Sequence, residues 1–271
     1  VYIGGDGTTY INNTIVRNNF ANSGGGIFVS SSSQSNQSLG AILRNVEISA
    51  NESSYHGGGV YLFAGDMAVY NSTIFNNESE SGGGAYFKGV FEIRNSIFYN
   101  NQITGTGCGG IQIHIDGNNN NMGTGNIFYS LIQGGEAEIC NDQGTIIWGD
   151  GNIDADPQFS DASANDLTLE YTSPCIDTGD PDLDADGEFY ITDTDDQDPD
   201  GTRMDMGAFY YDQIANPIIY GCMDPGASNY NSEAIVEDGS CVNNGPVFHV
   251  STTGNESPCR NFILDAYTFS S

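Results

Sequence analysis

The sequence predicts an all-β chain wound as a parallel β-helix, closed by an acidic region and followed by a small disulfide-stapled module. Three observations carry this expectation. A short motif recurs as INNTIVRNN (11–19), LRNVEISAN (43–51), VYNSTIFNN (69–77) and IRNSIFYNN (93–101). Each copy is followed by glycines and an alternating strand, as GGGIFV (24–29), GGGVYL (57–62), GGGAYF (82–87) and CGGIQI (108–113). The composition, with 36 Gly, 15 Tyr, 14 Phe and abundant Asn, favours short strands and tight turns over helices.

Residues 1–149 read as the coils. Asn13, Asn45, Asn71 and Asn95 are homologous, as are Asn19, Asn51, Asn77 and Asn101. A unit of roughly 22–26 residues cannot bury a core alone but can when stacked on copies of itself. Asn tolerates the left-handed backbone region at a corner and can bond to the Asn of the next coil. The glycine triplet marks a corner where φ is positive or a side chain would clash. A weaker fifth copy, NIFYSLIQGG, starts at Asn126, and four to six coils are expected. The Ser-rich stretch 30–40 and the stretch 116–125 read as loops extruded from corners. Leucine-rich repeats need a leucine pattern that is missing, and a sandwich would not repeat the Asn/Gly signature.

Residues 150–216 form the closing region. The coils look like the right-handed parallel β-helix repeats of secreted bacterial proteins. The segments GNIDADPQF (151–159), DLTLEYTSPCIDTGDPD (166–182) and DPDGTRMDMGAFYY (198–211) resemble the end of the choice-of-anchor Q β-helix proteins. The resemblance covers residues 1–212. It implies a right-handed, pectate-lyase-like solenoid with an acidic C-terminal cap, on an extracellular or cell-surface protein without an assigned reaction. Residues 217–245 are the next unit, in which GCMDPGASNYNSEAIVEDGSC (221–241) is similar to a small module of large secreted Bacteroidota proteins. Residues 246–271 are a tail.

Charge narrows function. Lys and Arg number 6 against 36 Asp and Glu, a formal net charge of -30. Phosphate backbones and anionic lipid repel such a chain, so nucleic-acid and membrane-surface partners are excluded. No stretch approaches the length of a membrane span. The even cysteine count without C-x-x-C reads as extracellular disulfides. Cys222 and Cys241 bracket the small module, Cys108 and Cys140 flank the fourth-to-fifth coil, and Cys175 and Cys259 remain by elimination or bridge between chains. Sequons at Asn12, Asn36, Asn51, Asn71, Asn77 and Asn255 are candidate glycosylation sites. Asn36, in the Ser-rich loop, is expected first, and Asn71 is expected to be blocked by an inner ladder.

Residues 150–212 hold 19 of the 36 carboxylates and one base, Arg203. Within them Asp182, Asp184 and Asp186, followed by Gly187 and then Asp193 at the twelfth position, have the spacing of a Ca2+ loop. Asp193 is shorter than the usual Glu, and Asp195, Asp198 and Asp200 could serve a second ion. Catalysis is disfavoured. Arg44 and Arg94 share a repeat position without flanking carboxylates, Glu47 has no acidic neighbour, and Glu52, Glu78 and Glu80 read as a solvated corner. His56, His114 and His249 are not paired with a nucleophile. Aromatics such as Tyr61, Phe63, Tyr86, Phe87, Tyr99 and Tyr129 divide between core ladders and surface stripes that could stack sugars.

The expected function is a non-enzymatic structural subunit, adhesive or filament-forming. A carbohydrate-binding or carbohydrate-degrading module is the alternative. VYIGGDGTTY at Val1 already reads as a coil strand, which leaves an open edge, and PVFHVSTTGNES (246–257) resembles the opening strand of the same family. Head-to-tail self-assembly by strand donation through Val247, Phe248 and Val250 is therefore expected. The competing expectation is a fragment whose tail starts a further domain.

Overall fold

A computed structural model of the chain describes residues 1–5, 7–31, 40–106, 111–117 and 123–242. The chain divides into two compact units, 1–217 and 218–271, one residue from the boundary expected after 216. It is all-β apart from three single-turn 3-10 helices among the described residues.

The first unit is built from three parallel sheets in which each strand pairs with its counterpart one repeat away. The first sheet runs Tyr2–Gly5, Ile27–Ser31, Val60–Ala64, Ala85–Phe87, Ile113–Asp116 and Ile139–Asp142. The second runs Phe20–Ser23, Glu52–His56, Glu78–Ser79 and Gln102–Ile103. The third begins with Thr9–Arg17 and Ala41–Ser49, and continues through the pairs Asp66–Tyr70 with Thr73–Phe75, Val90–Arg94 with Ile97–Tyr99, and Thr124–Phe128 with Leu131–Ile132, to Thr145–Trp148.

Register makes the core a set of like-on-like rows. Ile11, Leu43, Val69, Ile93, Ile127 and Trp148 form one. Ile48, Ile74, Phe98 and Ile132 form another, and Val29, Leu62, Phe87 and Ile115 a third. Apart from Ile11 and Trp148 at the two ends of the first row, all of these side chains are fully buried. Phe87, expected among surface or core aromatics, is interior and stacks on Phe91 at 4.1 Å.

The repeated Asn residues do two different jobs. Asn13, Asn45, Asn71 and Asn95 have φ between 45° and 54°, which bends the third sheet in every repeat. A short polar side chain makes that left-handed conformation tolerable. Asn51, Asn77 and Asn101 are buried and, with the exposed Asn19 at one end, form a continuous amide ladder. Asn19 Nδ2 donates to Asn51 Oδ1 at 2.9 Å, Asn51 to Asn77 at 3.0 Å and Asn77 to Asn101 at 3.0 Å. Gln112 and Gln133 extend the ladder. A second ladder runs through hydroxyls: the Ser72, Ser96 and Ser130 Oγ atoms each accept the backbone N–H of the preceding repeat's counterpart, at 3.1–3.2 Å.

The expected boundary at 149/150 cuts a sixth repeat. Ile153 bridges Leu131, and Asn152 Oδ1 accepts Ser130 N–H at 3.1 Å, continuing the hydroxyl ladder. The closing region was expected to cap the stack; it lies along the outer face of the third sheet. There Ile97 and Leu131 are buried against Leu169, Cys175 and Met206. An apolar outer row needs such a cover.

In the second unit Tyr220–Gly221 pairs with Val236–Glu237, and the Cys222–Cys241 disulfide is formed as expected. A segment this short has little core, so the cross-link carries much of its order. Cys140 is disulfide-bonded, and its expected partner Cys108 lies outside the described residues. Cys175 corrects the third pairing: it is a free thiol, fully buried among apolar side chains, and burial pushes its pKa up to about 12. A thiol so enclosed can neither bridge chains nor react readily.

Candidate functional site

The closing region is tied to the left-handed Asn row. Asn95 Oδ1 accepts Asp180 N–H at 2.6 Å, and its carbonyl accepts Gly207 N–H at 2.7 Å. Thr73 Oγ1 accepts Ala208 N–H at 2.9 Å, and Arg94 binds Asp180 at 2.6 Å and Glu92 at 2.7 Å. The sequence placed Arg44 and Arg94 at one repeat position, and the register agrees, with Asn12, Arg44, Tyr70 and Arg94 in one row. It missed the two carboxylates that hold Arg94, one two residues away on its own strand and one 86 residues distant.

This docking sets the acidic loop beside the sheet. Asp182, Asp184 and Asp186 each offer an oxygen, all within 4.8 Å of one another. Asp182 Oδ2 accepts Gly187 N–H at 3.2 Å, as the D-x-D-x-D-G spacing implies. The fourth expected ligand, Asp193, caps a 3-10 turn by accepting Asp195 N–H at 2.9 Å. The carboxylate beside the loop is Asp196, whose Oδ1 accepts Leu183 N–H at 2.6 Å. Between the loop and the sheet, Arg44, Tyr70, Glu92, Arg94, Asp184 and Asp195 line a cavity of about 560 Å3. Arg44 stacks over Tyr70, 4.5 Å from the ring centre.

A second acidic group is built from Asp177, Asp198 and Asp205. Asp205 accepts the N–H groups of Asp177 and Tyr211 at 2.7 Å each, and Asp198 accepts Asp205 N–H at 2.7 Å. Asp198 and Asp205 line a cavity of about 370 Å3 with Asn13, Asn45, Asn71 and Tyr210. Burial, then the Asp205 charge, pushes Asp198 up to about 8, and burial pushes Asp205 up to about 7. On the other flank Tyr86 lies between His56 at 4.4 Å and His114 at 4.3 Å, and His114 Nδ1 meets Ser81 Oγ at 2.7 Å. Burial, then the Lys88 charge, lowers His56, and burial lowers His114.

These shifts act on opposite limbs of a stability curve. The raised Asp pair contributes stability that is present below the unfolded value of 3.8 and lost as pH rises through about 7 and 8. The lowered His pair is neutral in the fold, so stability falls as pH drops below the unfolded value of 6.5. In chelator, Tm is expected to decline on both sides of a mildly acidic maximum. Asp198→Asn should flatten the alkaline limb; an alkaline limb of unchanged slope in that variant would refute the assignment.

Glu52 and Glu78 are in register on neighbouring strands and line a small pocket of about 210 Å3. Glu52 is exposed, without the apolar enclosure that makes a carboxyl a general acid at neutral pH. Glu47 stands between Ile15 and Thr73 and is buried against Arg17 at 3.1 Å, a structural ion pair. Among the sequons, Asn12 is exposed, and Asn36 and Asn255 lie outside the described residues. Asn51 and Asn77 are corrected: their exposures are 1% and 0%, and both amides are committed to the ladder, so no sugar fits on the folded chain. Asn71 is buried, but not in the inner ladder that was expected to block it: it lies under the closing region, with its Nδ2 3.5 Å from the Asp205 carbonyl. The assembly residues Val247, Phe248 and Val250, and His249, also lie outside the described residues.

No family model matches the chain, and no curated protein or solved structure matches it.

Proposed function

We propose that this chain is a non-enzymatic structural module of an extracellular surface, built as a right-handed parallel β-helix. The observation that carries the reading is the amide ladder from Asn19 to Gln133, which directs buried polar chemistry along the stacking direction. Such a ladder stiffens a rod. Right-handedness follows the near-universal hand of parallel crossovers. The likeness of the closing motifs to choice-of-anchor Q proteins supports a surface role, and the Cys222–Cys241 bridge supports an oxidising compartment. Head-to-tail self-assembly through Val247, Phe248 and Val250 belongs to the same proposal, as does glycan attachment at Asn12, Asn36 or Asn255.

Electron micrographs and light scattering at about tens of micromolar test assembly. Filaments that disappear on deleting residues 247–271 are expected; a monomer at that concentration removes this part. The cavity between Arg44, Tyr70 and the acidic loop favours one second reading, a carbohydrate-binding module. A panel of neutral and acidic polysaccharides separates the readings. No release of reducing ends is expected. Release that is abolished in Glu52→Gln or Glu78→Gln would overturn the non-enzymatic assignment.

A further inference from the structure

We propose that the groove between the outer Asn row and the closing region is a docking site for an extended, basic peptide segment of another protein. The row shows its own mode of binding. Asn13, Asn45, Asn71 and Asn95 stand in successive repeats at the same left-handed corner. The last two hold main chain: Asn95 Oδ1 accepts Asp180 N–H at 2.6 Å, and Asn71 Nδ2 donates to the Asp205 carbonyl at 3.5 Å. A side-chain amide matches a peptide group donor for acceptor, so it can seat a backbone whatever its sequence. The first two rungs are exposed and share one bond, from Asn45 Nδ2 to Asn13 Oδ1 at 3.1 Å. Among the described residues Asn45 Oδ1 and Asn13 Nδ2 have no partner. They are the same kind of acceptor and donor that the closing region uses further along the row.

The groove continues that interface. Asn13, Asn45 and Asn71 line it together with Phe209 and Tyr210 of the closing region, around about 370 Å3. Its charged lining groups are Asp198 and Asp205. Carboxyls beside aromatic rings favour Lys or Arg, whose stem packs on a ring while the head meets the acid. The chain has 6 bases against 36 acids, so a second copy is a poor source of such a segment and a different, basic protein is the better one. Asp198 gives the site a signature. Burial, then the charge of Asp205, pushes it up to about 8, with Asp200 and Asp177 adding to the repulsion, so at pH 6 it holds its proton. Asp205, pushed up to about 7 by burial, moves in the same sense. A cation seated beside them draws them into the charged form, so binding releases protons and tightens as pH rises toward 8. Ordinary surface carboxylates are already ionised at pH 6 and give no such trend.

Calorimetric titration of the full chain tests this with three probes: an acetylated and amidated five-residue peptide alternating Thr and Lys, the same peptide with Glu for Lys, and a neutral cellulose-derived oligosaccharide. Binding of the Lys peptide alone is expected, about tenfold or more tighter at pH 8 than at pH 6. Glycine accepts φ of 49° and 54°, so an N13G/N45G double variant removes both amides without straining the corner, and it should bind about tenfold or more weakly. Asn18→Gly, at an exposed left-handed position of another row with φ of 58°, should stay within about twofold of wild type. No binding of the Lys peptide at about 1 mM, or equal affinity in wild type and N13G/N45G, would overturn the site. Affinity that is the same at pH 6 and pH 8 would mean attraction to the acidic surface as a whole, and would overturn it too. Oligosaccharide binding that is lost in N13G/N45G would give the groove to a sugar instead.

Discussion

Asn77→Ala is expected to lose about 3–5 kcal/mol of stability and to lower Tm by about 10 °C or more. Asn77 is 0% exposed and all four of its side-chain bonds are inside the stack. Its Nδ2 donates to the Ile48 carbonyl at 2.9 Å and to Asn101 Oδ1 at 3.0 Å. Its Oδ1 accepts Asn51 N–H and Asn51 Nδ2, both at 3.0 Å. Alanine takes a donor from the Ile48 carbonyl and leaves two Asn51 donors without their acceptor. Asn12, exposed on the outer row, is the control, and Asn12→Ala should stay within about 0.5 kcal/mol of wild type. Urea melts with unchanged m-values would measure the difference. Equal midpoints for the two variants would show that the ladder is ornamental.

The repeat was legible because its geometry demands particular residues. A left-handed corner and an inward amide both select Asn, and each recurs in every early repeat, so the spacing of Asn13, Asn45, Asn71 and Asn95 could be read directly. The sixth repeat was hidden because other residues meet the same demands. Gly151, with φ of 74°, takes the corner that Asn95 takes at 50°, and Asn152 takes the place of Ser96 and Ser130. Neither substitution alters the physics, but both erase the pattern. The acidic loop was legible as far as Asp182, Asp184 and Asp186, which the fold brings together. Asp196 was not, because its approach to Leu183 depends on the path of the chain after the loop, which no local spacing encodes. Glu92 was missed for a related reason: two residues before Arg94 on one strand, it shares that strand's face, and a search across neighbouring repeats passes over it. The sequons at Asn51 and Asn77 carry a different lesson. The same amide that the sequon rule marks as an acceptor is the one that the ladder consumes, and burial decides between them.

Gly58→Ala is expected to destabilise the first unit by more than about 4 kcal/mol, or to prevent it from folding. Two different constraints produce the glycine triplet. Gly57 sits at φ of 63°, where an L side chain is strained. Gly58 has no such backbone need; it lacks room. A Cβ there would lie 2.5 Å from the carbonyl oxygens of both Glu78 and Gly83, which belong to the next repeat. Backbone oxygens cannot swing aside as a side-chain terminus can, so the repeats would have to part at that corner. Parting them stretches the bonds from Gly58 N–H to the Gly82 carbonyl and from Gly59 N–H to the Gly83 carbonyl, at 3.2 Å each. The same close approach recurs at Gly25, whose Cβ would meet Glu52 and Gly58 oxygens at 2.5 Å, and at Gly83, where Gln102 O would lie at 2.3 Å. The central glycine is thus what lets each repeat sit directly on the next at this corner. Gly7→Ala is the matched control: nothing lies within 4 Å of its Cβ, and the change should stay within about 0.5 kcal/mol. Far-ultraviolet circular dichroism and limited proteolysis of the two purified variants separate the cases. A Gly58→Ala protein as stable as Gly7→Ala would mean that the stack accommodates a methyl group between its backbones, and the close-packed account of the triplet would then be wrong.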